Sequence, residues 1–359
     1  MSRLVAGLLL LLLSGAAAAA QDARFDARTP GGPSLVIEST TDLSVFEPII
    51  KAFQDSHPAT GVVYRELTTN ELDRHVAAAC EAGRFAADLV ISSSVDQQVK
   101  LVNDGCALPA GGDLGAALPD WARWRDELFG LTYEPAVIVY NRAWFAARPV
   151  PRTRFDLIDL LRDSDAFRGK VGTYDIETSG VGYLFAFEDA IQASTWGRLV
   201  ESLGRNDART FCCTADILDR VADGRLLLGY NVLGSYALSR MIRDPRIGIV
   251  LPRDYTLVMA RAGFVSRDAR QPEAARAFIA SLLTPQGMRI LSGAARLFSP
   301  VDGEQALARL TAEHGKGDGA NPQAFRPIAL SPALLVGLDR AKRRLFLEQW
   351  RAAMPKSGG

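Results

Sequence analysis

Histidine is nearly missing from this 359-residue chain, with His57, His75 and His314 the only three. His57 stands directly before Pro58, His75 falls within a surface helix pattern, and His314 lies in a polar, Gly-rich tail. The sequence also has no G-x-S-x-G, H-E-x-x-H, Walker loop or G-x-G-x-x-G, the patterns that place a nucleophile, a zinc site or a nucleotide phosphate. Catalysis needs such placed groups. The carboxylate pairs Asp175 with Glu177 and Glu188 with Asp189 read as solvated loop and helix faces, so the expectation is a protein that is not an enzyme. An excess of charge is missing too: 41 Lys and Arg face 41 Asp and Glu, which removes the basic footprint of a nucleic-acid binder. Beyond residue 20 no apolar run approaches the roughly 20 residues of a transmembrane helix.

Cysteine is scarce, with four residues: Cys80, Cys106, Cys212 and Cys213. Cys80 and Cys106 are close enough in sequence to staple one lobe in an oxidising compartment. The adjacent pair Cys212 and Cys213 is open between a small-ring disulfide, two buried thiols and a soft-metal site. A structural role is expected, because no His or further Cys lies at metal-ligand spacing beside them.

What is present begins at the N-terminus. Met1, Ser2 and Arg3 precede the apolar run Leu4 to Leu13, and Ser14, Gly15 and Ala16 to Ala20 follow. This is the n-region, h-region and small-residue cleavage site of a secretory signal peptide, residues 1–20. No Cys stands at the cleavage point, so a free periplasmic protein is expected rather than a lipoprotein. Removing Arg3 leaves 40 basic against 41 acidic residues, a formal charge of −1. The remaining 339 residues suffice for two domains.

Residues 21–33 read as a flexible lead-in without apolar periodicity. From Ser34 a strand, polar turn and helix grammar repeats: strands at Leu35–Ile37, Val62–Leu67 and Asp88–Ser92, and helices at Val45–Ser56, Thr69–Glu81 and a third through Val102. Leu131 to Asn141 is a long extended segment, with Pro135 forbidding helix at its start, and its length suits a crossing between lobes. A second α/β set follows, with helices at Arg154–Arg162, Gly180–Ile191 and Ile217–Asp223 and strands at Lys170–Asp175 and Leu226–Tyr230. Ile247–Val250 and Tyr255–Phe264 form an extended pair that carries the chain back. Pro272–Leu283 and the tail to Trp350 are expected to pack on the first lobe.

Six segments together, V-I-E-S-T-T-D, A-D-L-V-I-S-S-S-V-D, Y-E-P-A-V-I-V-Y-N-R-A-W-F, G-K-V-G-T-Y-D, G-Y-N-V-L-G-S-Y and P-E-A-A-R-A-F-I-A-S-L-L-T-P-Q-G, resemble the periplasmic solute-binding proteins of type II topology. The likeness is to the branch containing ferric-ion, hexose-phosphate and phosphoglycerate binding proteins. It implies an α/β fold of two lobes, each a mixed sheet flanked by helices, joined by two hinge strands. Lobe 1 is expected from residues 34–133 and 262–359 and lobe 2 from 134–261. It further implies a monomer without cofactor that closes over a ligand by hinge motion. Delivery is then to an ABC permease or to the periplasmic domain of a sensor kinase.

Candidate ligand contacts lie where strands end. Ser39, Thr40 and Thr41 open a helix, and their hydroxyls with the free N–H groups behind them suit an anion. Ser92, Ser93 and Ser94 repeat the motif, and Thr178, Ser179 and Gly180 place it on the second lobe. Tyr230, Asn231 and Ser235 end a further strand, with Gly234 permitting close backbone approach. Tyr133 and Glu134 lie near the hinge, and Arg261, at the return crossing, pairs an anion. The family's ferric members use two adjacent tyrosines at a second-lobe strand end. Val232 and Leu233 stand there instead, and apolar side chains cannot ligate iron. The sequence therefore predicts a receptor for a small anionic solute, such as a phosphorylated sugar, a phosphoglycerate-like acid or a carboxylate. Iron bound through an exogenous anion and a purely sensory receptor are the alternatives.

Overall fold

The computed structural model describes residues 22–162, 164–314 and 321–354. The expected signal peptide lies outside them. Two sheets form where short apolar strands alternate with amphipathic helices. The first contains β1 (Ala23–Phe25), β2 (Ser34–Ser39), β3 (Gly61–Glu66), β4 (Leu89–Ser92), β5 (Arg123–Trp124) and β6 (Leu128–Gly130). The second contains β7 (Glu134–Asn141), β8 (Val171–Tyr174), β9 (Arg209–Phe211), β10 (Leu228–Leu233), β11 (Ile247–Val250) and β12 (Thr256–Met259). The chain then returns to the first sheet as β13 (Ala262–Val265) and again to the second as β14 (Phe325–Pro327).

In the first sheet the order is β1-β3-β2-β4-β13-β6-β5. β2 runs parallel to β3 and β4, and β13 pairs antiparallel with β4 and β6. In the second, the path is β14-β12-β7-β10-β8-β9, with β11 also on β7. Both sheets are mixed, as expected. The first is covered by Phe46, Ile50 and Phe53 from the Leu43–Ser56 helix and Phe278 from the Pro272–Leu283 helix, stacked on Leu35, Ile37 and Tyr64. All of these are under a tenth exposed, and burying side chains of this size contributes about 1.5 to 3 kcal/mol each.

Two crossings join the sheets, and their register sets up the site. Residues 131–133 separate β6 in one sheet from β7 in the other, and Ala260 and Arg261 separate β12 from β13. The crossings run side by side: Leu131 N–H donates to Arg261 C=O at 2.7 Å. Extended chain was expected without interruption from Tyr255 to Phe264, but it breaks at Ala260–Arg261, because the strands on either side belong to different sheets.

Two further expectations are corrected. Ala23–Phe25, placed in a flexible lead-in, pairs antiparallel with β3, and Gln54 donates its amide to the carbonyls of Phe25 and Asp26. Backbone pairing holds this segment, so no apolar period announces it. The tail also divides. Residues 332–338 pack on the Val95–Asn103 helix beneath the first sheet, while Phe346 and Trp350 of the Arg340–Ala353 helix enter the second lobe's core beside Leu199 and Tyr183. Stacking of Trp196 on both Phe346 and Trp350 draws that helix there. Among the described residues no helix is long and apolar enough to cross a membrane.

Candidate functional site

A cleft of about 270 Å³ opens between the two sheets, lined from the first by Thr40, Asp42, Glu66, Thr68 and Ser93 and from the second by Tyr174, Thr178, Ser179, Thr214 and Tyr236. Arg261 reaches it from the return crossing. On the first wall each triple-hydroxyl turn divides its labour. Ser39 Oγ accepts from Thr41 N at 3.1 Å and donates to Thr41 Oγ1, while Ser92 Oγ accepts from Ser94 N and Ser94 Oγ donates to Asp96. The outer hydroxyls thus hold the turns. The middle ones, Thr40 and Ser93, face the cleft, 3.3 Å apart, with Ser93 N–H donating to Thr40 Oγ1.

Across the cleft, Ser179 caps the Gly180–Gln192 helix by accepting from Gly182 N–H at 3.2 Å. Thr178 and Ser179 both line the cavity. Gly180 does not; its N–H donates to Thr69 Oγ1 of the first lobe, and a Cβ there would stand 2.6 Å from Ser94 Oγ. Glycine is needed for the lobes to meet at this point. Asn70 adds a bond to the Thr178 carbonyl at 2.8 Å, and Tyr236 O–H donates to Asp42 Oδ1 at 3.0 Å. The lobes are therefore in contact on both sides of the cavity, each bond worth about 0.5 to 1.5 kcal/mol net.

The floor is a buried ion pair. Arg261 Nε donates to Glu134 at 3.0 Å and its Nη1 to Thr41 Oγ1 at 2.7 Å, while Thr132 and Ser235 hydroxyls also donate to Glu134. Burial alone raises a carboxyl's pKa, but the Arg261 charge and these donors hold Glu134 below the ordinary range. Glu134 and Ser235 thus position Arg261. Tyr174, pushed up to about 12 by burial, shares a hydrogen bond with Thr214 and accepts from Leu233 N–H.

Three expected contacts lie elsewhere. Tyr133 is buried between Trp121 and Phe325. Tyr230 and Asn231 point into the second lobe, because β10 bulges between Gly229 and Val232, Asn231 adopts a φ of 56° and both side chains donate to Asp189. Asp189, read as a solvated helix face, is instead fully buried against Arg154. Gly234 serves packing: a Cβ there would meet the Pro135 carbonyl at 2.6 Å.

Sequence reasoning missed Asp42, Glu66, Glu71, Tyr174, Thr214 and Tyr236 on the cleft wall, and it left the Cys212–Cys213 bridge as one alternative without placing it there. Asp42 ends the quoted segment V-I-E-S-T-T-D and Tyr174 is next to last in G-K-V-G-T-Y-D, where its strand ends, and a reading of every polar residue at a strand end would have included them. Both bridges form, Cys80 with Cys106 and Cys212 with Cys213.

Residues 43–294, more than half the chain, match the sequence profile of the bacterial extracellular solute-binding proteins. The chain belongs to this family. A substrate-binding protein of an ABC transporter from Agrobacterium tumefaciens is 36% identical over 94% of this chain and 99% of its own, with a TM-score of 0.85. The family member described here is the solute-binding receptor of an ABC importer, with the type II periplasmic fold. Two more distant structures share the fold: iron-bound HitA from Pseudomonas aeruginosa (18% identity, 89% and 99% covered, TM-score 0.66) and AfuA from Actinobacillus pleuropneumoniae with fructose-6-phosphate bound (13%, 91% and 100%, 0.71). No curated protein matches the chain.

Proposed function

We propose that this receptor works in the periplasm as a monomer, captures a small anionic solute in the interlobe cleft by hinge closure, and presents it to an inner-membrane permease. The observation that carries this reading is the convergence of helix N-termini on one cavity. The helices Leu43–Ser56, Thr69–Glu81, Gly180–Gln192 and Thr214–Ala222 begin at its wall, at Asp42, Thr68, Ser179 and Cys213. Each turns the positive end of its helix dipole toward the cavity, where an anion is stabilised. The hydroxyls of Thr40, Ser93, Thr178 and Ser179 and the guanidinium of Arg261 supply further donors.

The carboxylates on the wall are already engaged. Glu66 accepts from Leu43 N–H at 2.8 Å, Glu71 closes a capping box with Thr68, and Asp42 accepts from Tyr236. Arg261 is matched by Glu134, so the site recognises its anion chiefly by hydrogen bonds and dipoles, as a receptor that must release its ligand requires. Micromolar affinity, about −8 kcal/mol, is within reach of a ten-atom anion on such contacts.

Iron is the second reading, favoured by Tyr174 and Tyr236, which line the same cavity as Asp42 and face it from the opposite wall. Burial raises both phenols above their usual range, which opposes the phenolate a ferric ion needs. Thermal unfolding of the mature protein against phosphorylated sugars, phosphoglycerates, carboxylates, ferric citrate and polyamines separates the readings, because a ligand raises the midpoint by mass action. A shift with phosphate or carboxylate esters is expected. A shift with iron alone refutes the anion reading.

A further inference from the structure

The two disulfides sit in opposite environments. Cys80 and Cys106 are 9% and 4% exposed and belong to the apolar core beneath the first sheet. Cys212 and Cys213 are both exposed and line the cleft beside Thr178, Ser179 and Thr214. A bridge between adjacent residues closes no chain loop, so it contributes none of the loop entropy through which a disulfide ordinarily stabilises a fold. What it fixes is the two-residue turn that delivers the chain into the Thr214–Ala222 helix, with Cys213 as the residue before its first turn.

We propose that the Cys212–Cys213 bridge is a redox-sensitive part of the ligand wall, opened by a dithiol reductant with loss of ligand affinity; the inference rests on the cleft being the solute site. A thiolate of the reductant attacks one bridge sulfur to give a mixed disulfide, and its second thiol displaces the remaining protein thiolate. Two electrons and two protons pass to Cys212 and Cys213 while the reductant becomes a disulfide. Access decides which bridge reacts, and only the cleft pair is exposed. Opening has two consequences for an anion. The rigid sulfur ring leaves the wall, and a thiolate becomes available at Cys213, where the helix N-terminus favours the charged form. Asp216, whose carboxylate lies 3.8 Å from Cys212 Sγ, disfavours a second charge on that neighbour. Negative charge then stands among donors that the ligand uses.

The test treats the folded mature protein with graded dithiothreitol, alkylates it with iodoacetamide, maps the labelled peptides, and titrates each form calorimetrically with fructose 6-phosphate and 3-phosphoglycerate. Labelling of Cys212 and Cys213 before Cys80 and Cys106 is expected, with affinity at least tenfold weaker in the reduced protein. The double variant C212S/C213S should bind more weakly than the oxidised protein and ignore the reductant. Equal resistance of both bridges, or prior opening of Cys80–Cys106, overturns the proposal whatever the ligand, as does selective opening with unchanged affinity. If neither probe binds either form, these two phosphates are not the solute, and labelling order alone decides whether the redox site exists.

Discussion

Arg154 and Arg261 are each 1% exposed and each neutralised by carboxylates, yet they stand in regions built to different ends. Arg154 lies inside the second lobe, bonded to Asp189, Asp254, the Tyr255 carbonyl and the Tyr230 hydroxyl, with the Tyr255 ring 3.5 Å from its guanidinium carbon. Its donors are spent on the protein, and it touches no part of the cleft. Arg261 lies between the two crossings, held by Glu134 and Thr41, and lines the cavity. The same chemistry thus serves fold specification in one place and ligand placement in the other. What separates them is whether the surrounding backbone belongs to one sheet or bridges two.

The largest effect that sharpens this contrast is on stability. Arg261→Met leaves the buried Glu134 charge without its partner, costing about 3 to 5 kcal/mol in urea unfolding, and Asp189→Ala, which leaves Arg154 its Asp254 partner at 3.3 Å, should cost less. Affinity should fall only for Arg261→Met, and adding Glu134→Gln to it should recover stability without recovering binding. Equal affinity loss in both single variants breaks the contrast. Next in size, Thr40→Ala and Ser179→Ala should each weaken anion binding by about 1.5 to 3 kcal/mol, the range for bonds to charged groups, read by calorimetry. Losses below about threefold at both positions, under 1 kcal/mol by the same conversion, remove these residues from the site. Smaller again, Tyr236→Phe deletes the bond across the cleft to Asp42 and should shift affinity by about 1 kcal/mol, with a loss in urea unfolding of no more than about 1.5 kcal/mol.

The smallest effect concerns pH. Burial, with Asp96 and Asp189 nearby, lifts Glu188 from 4.5 to about 7, and burial lifts Asp96 from 3.8 to about 6. The folded state holds these protons more tightly than the unfolded state. Their stabilising contribution is complete below the ordinary carboxylate range and is lost as pH rises through about 6 to 7. The melting midpoint should therefore rise modestly between pH 8 and pH 5, and Glu188→Gln should flatten that rise. Glu134 acts with opposite sign and outside this window: its carboxyl is lowered, so its contribution is complete above the ordinary carboxylate range and is lost as pH falls below that range.

Much of the architecture was legible because it rests on local pattern. Pro272–Leu283 and Thr69–Glu81 carry apolar residues at helical spacing, and both match the expected bounds. The Trp196–Arg205 and Gly234–Arg243 helices were missed although Trp196, Leu199, Val200 and Leu203 in the first, and Ala237, Leu238 and Met241 in the second, recur at helical spacing. At the site, Thr40, Ser93, Thr178, Ser179 and Arg261 were named from strand-end position and do line the cavity. Tyr230 and Asn231 were named on the same ground and do not, because a bulge rotates them inward. A strand end can be read in one dimension; the direction of its last side chains depends on register with a strand roughly 90 residues away.

The sequence by itself determined two α/β sets, the extended segments between them, the hydroxyl-rich turns and the absence of catalytic motifs, all properties of short windows. Tertiary structure alone decided that Glu134 pairs with Arg261 across 127 residues, that Tyr236 meets Asp42 across 194, and that the tail crosses to the second lobe. These contacts follow from how two sheets face one another, which no local period encodes. The middle hydroxyl of each turn was selected in the same way, by which neighbours had already claimed the other two.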